Sequence, residues 1–179
     1  MVDEVVVCMD TLDNLLLQHN IQEADFLKID VEGGELDVLK GARATIDRGV
    51  FGLQLEVRFM EFYKGAPLFS VVNDYVSKMG FELFDLNRYY YKRRLERGSL
   101  KGQLGMADAL YLLNINKFIE ICNNISDEDK RRNKVLNALL ICDSYGYNDY
   151  SLDLLENFKN IFEKGEYISL LETLKKSVF

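Results

Sequence analysis

Residues 27–36 read LKIDVEGGEL, and their reading decides the fold. Leu27, Ile29 and Val31 alternate with Lys28, Asp30 and Glu32, the period-2 signature of a strand with one apolar and one polar face. Gly33-Gly34 ends the strand, and Glu35 opens a helical period carried by Leu36, Leu39, Ala42 or Arg43, and Ile46, with Gly49 as its stop. Three carboxylates thus crowd a strand-to-helix turn. Charge in such a place is paired or put to use, because burying it otherwise is costly.

Working outward, EVVVCMD (4–10) is β-branched and predicts a strand, and TLDNLLLQHN predicts a short helix capped by Thr11 or Asp13. FGLQLEV (51–57) predicts the next strand and residues 68–79 a helix stopped by Gly80. FELFDL (81–86) and ADALYLL (107–113) predict two more strands. Strands alternating with helices imply an α/β fold with a mostly parallel sheet. The last two strands lack a helix between them. Their connector, which contains RYYYKRR (88–94), predicts an antiparallel hairpin or a long loop at a sheet edge. From residue 115 onward the pattern is helical, in three or four segments. The expected organisation is an α/β unit over 1–114 and a helical appendage over 115–179.

The 22 basic and 29 acidic residues give a net charge of −7, which argues against a general nucleic-acid or anionic-membrane binder. No apolar run approaches the ~20 residues of a membrane span. Three widely spaced cysteines and one histidine form no zinc or redox motif and make Ser-His or Cys-His catalysis unattractive. The thiols fit a reducing, cytoplasmic setting. Neither GxxxxGK[ST] nor a strand-following GxGxxG occurs, so ATP or NAD binding has little support. The RYYYKRR run mixes bases and aromatics as single-strand binders do. In an acidic chain a solvated edge hairpin with tyrosines folded onto the sheet is the favoured reading, and a lip over a substrate pocket or a contact to another subunit is a third.

Ligands of an open parallel sheet bind beyond the carboxyl ends of its strands. Asp30 and Glu32 sit at one such end and Glu56 near the next. They are candidates for a general base or for holding a hydroxyl-bearing or cationic ligand, and Gly33 lets a ligand approach the backbone. The plainer alternative has Asp30 paired with Lys28 or Arg58, Glu32 in solvent and Glu35 as a helix-start acid favoured by the macrodipole. Asp30, Glu32 and Glu56 could offer oxygens to Mg²⁺ or Ca²⁺, but the spacing matches no EF-hand and no metal is expected.

The blocks TLDNLL, ADFLKIDVEGGELDVLKGA, LQLEVRF and GFELFD resemble the FkbM-type S-adenosylmethionine-dependent methyltransferases over residues 4–113. The resemblance implies a class I methyltransferase fold, a Rossmann-like sheet with an antiparallel last strand. It implies methyl transfer from S-adenosylmethionine to an oxygen of a saccharide or secondary-metabolite hydroxyl. It places Asp30 and Glu56 as catalytic residues, with Glu32 and Gly33 on the substrate or cofactor rim. In that family a glycine-rich loop and a ribose-binding acid precede this stretch, so the chain is expected to be the carboxyl-terminal half of the fold. Alone it is expected to be inactive, completed by a missing amino-terminal half or associating as a homo-oligomer. The alternative is a non-catalytic interaction or scaffold module with a methyltransferase-like half-fold.

Overall fold

A computed structural model describes residues 5–93 and 101–176. Its elements are α1 (Leu12–Gln18), β1 (Phe26–Ile29), α2 (Glu35–Gly41), α3 (Arg43–Asp47), β2 (Gly52–Arg58), α4 (Phe69–Lys78), β3 (Phe81–Tyr91), β4 (Gln103–Leu113), α5 (Ile115–Asn123), α6 (Glu128–Ser144), α7 (Asn148–Asn157) and α8 (Lys164–Lys176), with a 3-10 turn at Lys159–Ile161. The four strands form one sheet in the order β1-β2-β4-β3.

β1 pairs with β2 in parallel, whereas β4 is antiparallel to both β2 and β3. The expectation of a mostly parallel sheet is therefore corrected: two of the three pairings are antiparallel. The reason is β4, which turns back from β3 and inserts between β2 and β3. β1, β2 and β3 still point the same way, and the antiparallel last strand is found. The hairpin is longer than the sequence suggests. Its strands reach Tyr91 and start again at Gln103, with irregularities at Leu83/Asp85 and Tyr89/Tyr90. Arg94 of the basic-aromatic run lies outside the described residues.

The strand expected at 4–10 is not formed over residues 5–10, and Glu4 lies outside the described residues. Val5, Val6, Val7 and Met9 are exposed. β-branched composition favours a pleated, half-buried surface only where a neighbouring strand supplies the ladder, and no described strand lies beside this run. The single helix expected from 35 to 48 is broken at Ala42 into α2 and α3. Asp13 explains the restart. Its carboxylate accepts from the backbone of Ala44 at 2.9 Å and of Thr45 at 2.7 Å, and from the Thr45 hydroxyl at 2.6 Å. A side chain of α1 thereby caps α3, while Thr11 caps α1 itself through Asn14.

The sheet is sandwiched. Tyr111, which faces Leu53 across β2 and β4, donates to Asn73 of α4 at 3.2 Å, so this face lies under α4. On the other face Tyr145, just after α6, donates to Gln54 at 3.0 Å and stacks on Phe26 at 5.5 Å. Gly52 makes that stacking possible, because a Cβ there would sit 2.5 Å from the Phe26 ring. Phe51 meets Phe118 of α5 edge-on at 4.9 Å, and Phe84 meets Tyr150 of α7 at 4.9 Å. One continuous core runs from Leu39 and Leu53 through Leu112 and Phe118 to Leu139, Leu154 and Leu174.

Candidate functional site

The alternation that buries Leu53, Leu55 and Val57 puts Gln54, Glu56 and Arg58 on the opposite face of β2. Glu56 stands across from Asp108 of β4, and Asp108 across from Asn87 of β3. Asp30 follows β1 immediately, one step beyond the Ile29–Leu55 pair. The strand registers therefore lay Asp30, Glu56, Asp108 and Asn87 in a row across the carboxyl ends of β1 and β2. Tyr89 joins the row by donating to Asp108 at 2.8 Å and accepting from Asn87 at 2.8 Å. Its hydroxyl pKa is raised, first by the bond to Asp108 and then by burial and the charges of Asp108, Glu56 and Asp30.

Between β1 and α2 the chain passes through a tight turn. Glu32 has φ +54° and Gly33 φ +109°, both in the left-handed region. A non-glycine residue there is uncommon and is held by its surroundings. Glu35 does the holding. One carboxylate oxygen accepts from Gly33 N at 3.0 Å and Val31 N at 3.3 Å, and the other accepts from Arg58 Nη1 at 3.0 Å. Glu35 lies in the first turn of α2, as a helix-start acid would, but it is buried and ion-paired rather than solvated.

Arg58 is 1% exposed and faces three carboxylates. Besides Glu35, its Nη2 donates to Glu32 at 3.3 Å and to Glu56. The Tyr63 ring covers the guanidinium at 5.2 Å, and the Tyr63 hydroxyl donates to Glu32 at 2.9 Å. A Cβ on Gly33 would press on Ala66 at 3.3 Å and lie 3.8 Å from Arg58 Nη1, so the turn is closed over the pair. Burial raises the Glu56 pKa above the usual carboxylate value; Arg58 opposes this, and Glu32, Asp30 and Glu35 add to it. A carboxylate poised upward in this way is a better proton acceptor near neutrality than an ordinary one.

Asp30, Glu32 and Glu56 bring carboxylate oxygens within 4.8 Å of one another. Arg58 donates to Glu32 and Glu56, so two of the three already share a cationic partner. Asp30 differs from its neighbours. Its side chain is half-exposed, and its ion pair is a long one with Lys28, 4.0 Å, rather than with Arg58. It is the carboxylate of the row most open to an incoming group.

The sequence reading placed Asp30, Glu32 and Glu56 together and missed what organises them. Arg58 had a legible signal, since it lies two residues after Glu56 and so shares its strand face. Asp108 was legible only through register. Tyr63 had none, because it sits in an aperiodic segment between β2 and α4.

Residues 2–83 match the family model of the methyltransferase FkbM domain. The resemblance drawn from LKIDVEGGEL and its neighbours holds over that span. No curated protein and no solved structure matches the chain. Among the described residues no helix is long and apolar enough to cross a membrane.

Proposed function

We propose that residues 1–114 are the acceptor-side half of an S-adenosylmethionine-dependent methyltransferase that methylates a hydroxyl of a saccharide or secondary metabolite. The observation that carries this reading is the family match at residues 2–83, which contains Asp30, Glu32, Gly33 and Glu56. The strand order β1-β2-β4-β3, with one strand reversed inside three co-directional ones, supports the Rossmann-like class. In this reading the helical residues 115–179 are an appendage that braces the sheet.

The donor set fits one side of such a site. A row of carboxylates at strand ends suits a hydroxyl acceptor and a sulfonium cation, which supplies the electrophilic methyl group when bound. These strand ends form the acceptor side of the site, and among the described residues no glycine-rich cradle for the nucleoside lies beside them. Asp30 would orient the acceptor hydroxyl and receive its proton. Glu56, raised in pKa and fixed by Arg58, would hold a neighbouring hydroxyl or take over the proton. Alignment of the two reactants supplies most of the rate.

The test is transfer of label from methyl-labelled S-adenosylmethionine to a panel of polyhydroxylated acceptors by the natural protein that contains residues 1–179. Asp30→Asn should lower the rate about 10²–10⁴-fold, the usual worth of a positioned base. Absence of transfer to every hydroxyl acceptor sinks the activity, and an undiminished Asp30→Asn rate removes Asp30 from the chemistry.

A further inference from the structure

Arg58 is the cation in contact with Glu56, and it contacts Glu32 and Glu35 as well. A guanidinium stays charged at any physiological pH and offers its donors as a rigid fork. Here the fork is divided: Nη1 goes to the turn-holding Glu35, and Nη2 goes to Glu32 and Glu56. Its Nε finds no acceptor among the described residues, so the two Nη groups alone hold the plane. A lysine, a point charge, could not serve both sides of this division.

We infer that Arg58 is the positioning residue of the proposed site: its buried fork sets the direction and charge of Glu56 and, through Glu35, the turn that carries Glu32. This rests on reading Glu56 as part of the methyl-transfer site and adds the group that governs it. The titratable groups facing Glu56 come from every neighbouring element. They are Asp30 after β1, Glu32 in the turn, Glu35 on α2, Arg58 on β2 itself, Tyr63 after β2, Asp108 on β4 and Tyr89 on β3. Six of the seven are acids or phenols. Removing the cation leaves Glu56 among like charges, so its protonated form gains.

Carboxyl-carbon NMR titration of the full chain, labelled at glutamate, reads this without any turnover, with Glu56→Gln assigning the signal. In Arg58→Gln the Glu56 midpoint should move up by about one pH unit. Arg58→Lys should bring it part of the way back while leaving Glu35 without its fork. A Glu56 midpoint unmoved in folded Arg58→Gln overturns the inference. If neither variant folds, the unmodified protein decides. Resolved Arg58 Nη signals that merge as Glu56 is protonated support the divided fork, and signals merged at every pH overturn it. Because neither readout needs an acceptor, a failed methyl-transfer assay and a failed inference are told apart.

Discussion

The ion-pair cluster around Arg58 separates carboxylates of the same chemical type into different roles by position alone. Glu35 is buried and spends its oxygens on Val31, Gly33 and Arg58. Truncating it leaves the Val31 and Gly33 amides and Arg58 Nη1 without their acceptor, in part inside a buried ion pair. Glu35→Ala should therefore lower stability by about 3–5 kcal/mol in denaturant unfolding. A loss below 1 kcal/mol would mean that Glu32 and Glu56 alone satisfy Arg58. The cysteines divide in the same way. Burial pushes the thiols of Cys122 and Cys142 up to about 12, whereas Cys8 is exposed. Since the thiolate is the reactive form, a thiol reagent at pH 8 should label Cys8 alone in the native protein and all three after unfolding. Rapid native labelling of Cys142 would contradict its burial.

At the scale of elements, Asp13 is the joint between α1 and α3. Its own burial would raise its pKa, but hydrogen bonds from the Thr45 hydroxyl and the Ala44 and Thr45 amides, with the Arg48 charge, outweigh that and leave it lowered from 3.8. A carboxylate lowered on folding contributes stability that is fully present above its unfolded value and is lost as pH falls through the folded one. Asp13→Ala should cost about 1 kcal/mol at neutral pH, as loss of a helix cap does, and the gap to wild type should close in acid. Thermal melts of both proteins at neutral pH and below pH 3.8 check this. A difference that persists undiminished at the lowest pH would assign the effect to packing instead.

For the whole molecule, the helices after residue 115 are not a satellite in energetic terms. Phe118 is fully buried, edge-on to Phe51 at the start of β2 and to Phe158 at 5.7 Å. Lys134 of α6, itself buried, pairs with Asp25 at 2.6 Å, and Asn137 donates to the same carboxylate at 2.7 Å. Phe118→Ala should destabilise by about 3–5 kcal/mol. It should do so in one cooperative transition, seen alike by a probe on the sheet and a probe on α7. Two separated transitions would show that 1–114 and 115–179 unfold independently.

The sequence by itself determined the kind of elements, most of their limits, the family likeness and the gathering of Asp30, Glu32 and Glu56. Alternation and helical period are local, and they report which residues share a face. Tertiary structure decided the rest. It set the partners of each strand, so that the β-branched run at 5–10 stays unpaired and β4 makes most of the sheet antiparallel. It brought Asp13 to cap a helix 31 residues away. It also brought Arg58, 23 and 26 residues distant, onto Glu35 and Glu32. Hydrogen bonds and charge pairs between segments depend on where folding brings them. The carboxylates of LKIDVEGGEL were therefore legible in the chain, and the contacts by which Arg58 orders them were not.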